Sequence, residues 1–217
     1  MPESREYLEC FEEIANSKKY GVIQHYFRGS GAVNYELIGS VSTMCRQSGA
    51  KNFKDWYNYY HKTPYAGNLK KAVNLLQIAL KKDGWEYSDE DVFMCLKTFV
   101  LYQTWIGMLQ EKRVKYMLED EDFYCLFSDR KTDMEYNIDL LLISKNQKKW
   151  VCGLQIKPMS YKEIEYDRKR TMTFQKKYNI PMMYIRYYTD TKDYIEMDLL
   201  NVKCLKELIL RSEKASV

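Results

Sequence analysis

Tyr136-Asn137-Ile138-Asp139-Leu140-Leu141-Leu142-Ile143, the polar turn Ser144-Lys145-Asn146-Gln147-Lys148-Lys149, and then Trp150-Val151-Cys152-Gly153-Leu154-Gln155-Ile156-Lys157 form the stretch whose reading decides the fold. Two apolar, strand-like runs around a polar turn predict an antiparallel hairpin. Side chains alternate along a strand, so Gln155 and Lys157 share a face. Asp139 stands in the partner run, and the hairpin gathers an acid, an amide oxygen and an ammonium near one edge. Such a set suits a divalent cation and a phosphodiester.

Magnesium prefers oxygen donors in octahedral geometry, usually a few protein groups plus water and phosphate. Asp139 offers a charged oxygen, Gln155 a neutral one, and the backbone carbonyl of Ile156 a third. Lys157 then lies beside Gln155 and near an attacking water. There an ammonium stabilises hydroxide and the charge that develops on phosphorus oxygens. One carboxylate and one amide make a thin set, so a further acid is expected upstream. Glu111 is the first choice, late in a long predicted helix, with small Gly107 a turn earlier to allow close packing on the sheet. Glu135 is the runner-up. Each residue also has a plain reading, as a surface acid or an exposed lysine; what favours chemistry is the order of the elements around them.

Beyond the hairpin, Ser160 with Glu163 forms a possible capping box that opens a basic helix running through Lys177. Asn179 and Pro181 punctuate it, and residues 182–188 read as a buried strand. Residues 194–197 suit a short strand and 201–213 a terminal helix. Upstream, residues 3–18 have helical spacing, with Gly21 as a stop, and residues 28–34 form a glycine-rich loop. Residues 53–61 read as a short aromatic helix and 66–82 as an amphipathic one. Ser88, with Asp91 three residues on, caps a helix to about Leu118. Glu119-Asp120-Glu121-Asp122 marks an exposed turn. The chain is thus mostly helical over 1–88, a subdomain packed on an α/β core at 89–217 whose mixed sheet is flanked by helices.

At 217 residues with 46% hydrophobic content, one domain or a domain plus subdomain is expected. No apolar run approaches the roughly 18 residues of a membrane span. The charged start, Met1-Pro2-Glu3-Ser4-Arg5-Glu6, lacks a signal segment, and a soluble cytoplasmic protein is expected. The six cysteines are scattered without any C-x-x-C, which disfavours zinc and disulfides and suits small core residues. Residues 145–177 carry ten Lys/Arg against three acids, a local net of +7 against +4 overall, leaving −3 elsewhere. That asymmetry suits a polyanion, or simply a solvated helix face.

The sequence of Glu-bearing helix, hairpin with Asp and Gln-x-Lys, basic helix and buried strand resembles the PD-(D/E)XK nuclease fold. There an Asp and an acid-x-Lys lie on adjacent core strands. Here Gln155 replaces the second acid and Ile138 stands where the family has proline. Gly31-Ala32-Val33-Asn34-Tyr35-Glu36-Leu37-Ile38-Gly39, Asp55-Trp56-Tyr57-Asn58-Tyr59-Tyr60 and Gly153-Leu154-Gln155-Ile156-Lys157-Pro158 look like segments of the small Mja-type restriction endonucleases. The resemblance implies a type II restriction enzyme that cuts a short palindrome, with CTAG as the site by analogy. It implies Mg2+, with Mn2+ able to substitute, and 5′-phosphate ends. A methyltransferase is the expected genetic companion, and a palindromic cut is most simply made by a homodimer.

Double-stranded DNA would be held through phosphates by Lys162, Arg168, Lys169, Arg170, Lys176 and Lys177 on the basic helix. Base readout needs side chains in a groove. Arg28 suits guanine, Asn34 suits adenine, and Arg46 with Gln47 forms a second patch; ordinary surface loops are the alternative. Trp56, Tyr57, Tyr59 and Tyr60 suit core or subunit contact rather than base stacking. Two other functions stay open: a repair or recombination nuclease, and a DNA-binding protein with an inactive nuclease core, which Gln155 keeps alive.

Overall fold

A computed structural model describes residues 10–11, 13–15, 17–29, 33–119, 123–146, 148–158, 161–187 and 207. The expected strand at 194–197, most of the helix at 3–18 and all but one residue of that at 201–213 lie outside them. The chain divides into two compact units, Met1–Met108 and Leu109–Val217.

The first unit is helical among its described residues: α1 (Gly21–Gly29), α2 (Tyr35–Ile38), α3 (Val41–Gln47), α4 (Phe53–His61), α5 (Leu69–Lys82) and α6 (Asp89–Lys97). Gly21 opens α1 rather than closing a preceding helix, and Arg28 and Gly29 form the last turn of α1 rather than a loop. Side-chain caps start two helices, and the one at Ser88 is the one read in the sequence. The Asn52 side chain accepts the Asp55 N–H (2.9 Å) at α4, and Ser88 Oγ accepts the Asp91 N–H (3.0 Å) at α6. A π-helical turn, Thr98–Gln103, continues α6 into α7 (Thr104–Glu119). The division between units falls within α7.

Trp56 and Tyr60 are wholly buried at the centre of this unit, with Leu69, Leu76, Leu80 and Leu96 around them. Their polar tips are satisfied inside: Trp56 Nε1 donates to the Leu101 carbonyl (3.1 Å) and the Tyr60 hydroxyl to that of Ile38 (3.2 Å). The aromatic run of α4 is therefore core at Trp56 and Tyr60, while Tyr59 is exposed.

Gly39 has φ of +77°, and a β-carbon there would stand 2.6 Å from Met44 Cε and 2.8 Å from the Tyr65 ring. Backbone strain and overlap act together, so Gly39→Ala is expected to destabilise the fold by about 1–3 kcal/mol. Urea unfolding of the variant measures it.

The second unit holds a mixed sheet in the order β1-β2-β3-β4: β1 (Phe123–Phe127), β2 (Leu140–Ser144), β3 (Trp150–Pro158) and β4 (Met182–Tyr187). The β1–β2 and β2–β3 pairs are antiparallel and β3–β4 is parallel. The parallel pair needs a crossover, supplied by α9 (Glu165–Tyr178). A short helix not foreseen in the sequence, α8 (Arg130–Tyr136), lies between β1 and β2. Tyr136 therefore ends a helix instead of beginning a strand. The start of α9 also differs: Ile164 occupies its N-cap without a side-chain bond, so the Ser160/Glu163 box does not open it.

Strand alternation puts apolar residues on both faces. Cys152, Leu154 and Ile156 pack with Leu140, Leu142, Ile185 and with Val114 and Leu118 of α7. Opposite them, Ile138 and Leu141 pack with Tyr136 and Phe174. Cys45, Cys95, Cys125 and Cys152 are buried, as small core residues. By length and composition alone, the helical run Asp89–Glu119 contains one 18-residue window apolar enough to cross a membrane, and 56% of that window is buried inside the protein.

Candidate active site at the β2–β3 edge

Asp139 is delivered to the start of β2 by a backbone tied down at several points. The Asp129 side chain accepts the Thr132 N–H (2.7 Å) and begins α8. Asn137 ends α8 in the left-handed conformation, φ +59°, and its N–H donates to the Asp133 carbonyl (2.8 Å). Ser128 Oγ then donates to the Ile138 carbonyl, and Ser128 N–H to that of Asp139 (3.1 Å). Asp139 N–H donates to the Leu154 carbonyl (2.9 Å), which ties the segment to β3.

The Asp139 side chain is 9% exposed. Its Oδ2 accepts the Ile156 N–H at 2.7 Å and lies 3.4 Å from Lys157 Nζ. A buried carboxylate needs such partners, because desolvation otherwise costs far more than a surface charge would. Among the described residues, no hydrogen bond engages Oδ1. The Lys157 side chain is about one-fifth exposed, and its ammonium also approaches the Tyr161 ring, 5.9 Å from the centroid.

Gln155 is completely buried between them in sequence. Its Nε2 donates to the Asn137 carbonyl. Its Oε1 is a buried acceptor with no hydrogen-bond donor among the described residues. Leaving a buried acceptor unmatched costs roughly 1–3 kcal/mol, so Oε1 suits a cation or an ordered donor. Among the described residues no three His, Cys, Asp or Glu side chains converge as a metal cage. The fit to a hard cation therefore rests on one carboxylate, one amide oxygen and the Ile156 carbonyl.

Glu111 is half-buried on α7, three residues before Val114 and seven before Leu118, so it shares their helix face. Glu135 is nearly half exposed on α8 and points toward Lys177, 3.9 Å away. A β-carbon at Gly107 would meet nothing within 4 Å, whereas one at Gly153 would overlap Met182 Sδ and crowd Phe174 and Ile138. The glycine needed for close packing is the one in the site strand.

On β4, Tyr184 pairs with Gln155 and Arg186 with Lys157. Arg186 donates to the Tyr161 carbonyl (2.8 Å) and lies over both the Tyr161 and Tyr184 rings. Burial, and hydrogen bonds to Asp167 and Glu163 respectively, hold the Tyr161 and Tyr184 phenols far above their ordinary range. Both stay neutral donors. Sequence reading had not singled out this group; the register of a parallel strand was needed to place it.

The basic residues are in unlike settings. Lys162, Arg168, Lys169 and Lys176 are exposed, with Lys169 paired to Glu165 at 2.7 Å. Lys177 donates to the Tyr136 hydroxyl (2.6 Å), which holds its ammonium well above the usual lysine value. Arg170 is half-buried: its Nη2 donates to the Asp133 and Met134 carbonyls at the end of α8, and its Nη1 lies 3.5 Å from Asp167 Oδ1. In the first unit, Asn34 Oδ1 accepts the Leu37 N–H (3.1 Å) at the start of α2. Arg46 is half-buried and Gln47 exposed at the end of α3. Arg28 sits in α1, with its side chain outside the described part.

None of the curated proteins or solved structures compared with the chain gives a match. The family model described as MjaI restriction endonuclease matches residues 21–199, most of the sequence and all of the site elements. The chain belongs to the MjaI restriction endonuclease family.

Proposed function

We propose that the protein is a type II restriction endonuclease that makes magnesium-dependent double-strand cuts in a short palindrome, with CTAG as the first site to try. The observation that carries this reading is the Lys157 ammonium 3.4 Å from the Asp139 carboxylate, two residues along β3 from the unmatched Gln155 Oε1. The core would be of the PD-(D/E)XK type, with residues 89–217 as the nuclease and 1–88 in recognition and dimer contacts. Cytoplasmic location and a methyltransferase as genetic companion go with the same role.

Asp139, Gln155 Oε1 and the Ile156 carbonyl would hold Mg2+ or Mn2+; Glu111, the proposed added acid, shares the α7 face that packs on Cys152, Leu154 and Ile156 and would have to reach the cation from the other side of the sheet. The bound cation lowers the pKa of a water and neutralises phosphate charge. The chain's own residues do the rest. The Ile156 N–H and the Lys157 ammonium hold the Asp139 carboxylate in one orientation. Lys157 offers a positive charge, partly shielded from solvent, where negative charge develops on the attacked phosphate. The surrounding core fixes both groups on strands rather than loops, so little reorganisation is needed.

Incubation of defined plasmid DNA with magnesium, followed by end sequencing, tests the reading. Discrete fragments sharing one short palindrome and 5′-phosphates support it. Cutting governed by ends or junctions would instead favour a repair or recombination nuclease. Tight binding without any cutting would favour an inactive DNA-binding protein.

The exposed cations Lys162, Arg168, Lys169 and Lys176, none of them bonded to Tyr136 as Lys177 is, supply phosphate contacts in this reading. About four contacts per protomer, about eight for the dimer, predict a slope near −7 in log affinity against log salt, roughly a 10⁴-fold loss between 50 and 200 mM. Fluorescence anisotropy over that range measures it. A flat response would remove the helix from the DNA interface.

A further inference from the structure

We propose that position 155 is built for a neutral amide and excludes a carboxylate, and that the backbone carbonyl of Asn137 is the group that makes the selection. The inference rests on the site reading above and concerns the metal-free protein first. A glutamine and a glutamate have nearly the same shape, so shape alone does not discriminate between them. Hydrogen-bond polarity does: the amide has one end that donates and one that accepts, and the carboxylate has two that accept.

The Asn137 carbonyl takes up the donor end. It accepts from Gln155 Nε2, which leaves Oε1 as the end presented away from it. The opposite rotamer of the amide would put oxygen against oxygen, so the orientation is not interchangeable. The carbonyl is itself held in place. Asn137 is the left-handed C-cap of α8, φ +59°, with its N–H bound to Asp133. Arg170 bonds the Asp133 and Met134 carbonyls from α9 and holds the end of that helix. Asn tolerates the left-handed region better than most residues, which explains its use at this turn.

A carboxylate at 155 would turn one oxygen toward this carbonyl in a site with no solvent exposure. Repulsion and desolvation would act together there. The departure of Gln155 from an acid-x-Lys pattern is therefore matched by its surroundings. Asn137 is a positioning residue: it aims the amide oxygen and does not itself touch the reacting atoms.

The test compares Gln155→Glu and Gln155→Met with the wild type. Gln155→Met keeps the length of the side chain without either polar end. In EDTA at pH 7.5, Gln155→Glu is expected to melt about 5–10 °C below the wild type, and clearly below Gln155→Met. With saturating magnesium, its cleavage rate is expected to fall at least about tenfold, although the substitution restores the family's acid. If Gln155→Glu melts with the wild type, or the Glu and Met variants melt together, the carbonyl does not discriminate and the proposal fails. Faster cleavage by Gln155→Glu would overturn it as well. If the wild type cuts no DNA, the nuclease reading fails by itself, while the melting comparison in EDTA still decides the amide question.

Discussion

Lys157→Ala is expected to slow magnesium-dependent cleavage by about 10²–10³-fold while leaving DNA affinity within about tenfold. The reason lies in where the ammonium sits. It is partly exposed at the strand edge, 3.4 Å from Asp139 Oδ2 and near the Tyr161 ring. Neither contact is short enough, or buried enough, to make Lys157 a main support of the fold. Its charge matters most when the attacked phosphate gains negative charge, a state the free enzyme and the bound substrate do not have. Single-turnover cleavage gives the rate, and anisotropy with calcium in place of magnesium gives the affinity. A wild-type rate in the variant would remove Lys157 from the mechanism. An equal loss in affinity and rate would make it a DNA-binding residue instead.

The elements that carry a strong hydrophobic period were legible. α5 and α6 show it over many residues, and Ser88 marks the start of α6 by a bond that forms as expected. The hairpin and β4 were legible as continuous apolar runs, which fit strands buried on both faces. The five-residue strand β1, Phe-Tyr-Cys-Leu-Phe, was obscured by the acidic cluster before it. α8 is Arg-Lys-Thr-Asp-Met-Glu-Tyr, seven residues with almost no apolar period. Its signals were at its ends: Asp129 as N-cap and Asn137 just beyond.

The site was legible in part for a physical reason. Alternation by two places Gln155 and Lys157 on one face, and antiparallel pairing brings Asp139 to them. What alternation cannot supply is orientation. The direction of the Gln155 amide depends on the carbonyl of Asn137, and that depends on a left-handed cap to a helix the sequence hardly announces. Arg170 is similar: a basic residue on a basic helix reads as a phosphate contact, yet its guanidinium is spent on two backbone carbonyls. The role of such a residue is set by what lies across from it in space, and no local pattern records that.

Asp139→Asn is expected to abolish cleavage, a loss of about 10³-fold or more, in a protein that still folds and binds DNA. The asparagine oxygen can still accept the Ile156 N–H, now 2.7 Å from Oδ2. What is lost is the negative charge, the one carboxylate bonded directly to this strand edge. Asp139→Ala differs in a way that can be measured. It leaves the Ile156 N–H buried without an acceptor, so it adds a stability loss of about 1–3 kcal/mol to the catalytic one. Comparing the two variants by urea unfolding and by cleavage separates charge from scaffold. If Asp139→Asn cuts plasmid DNA at the wild-type rate with magnesium, the catalytic centre lies elsewhere in the chain. If neither variant changes DNA binding and the wild type itself never cuts, Asp139 holds a strand edge in a binding protein. Gln155 would then mark a core that has lost its chemistry.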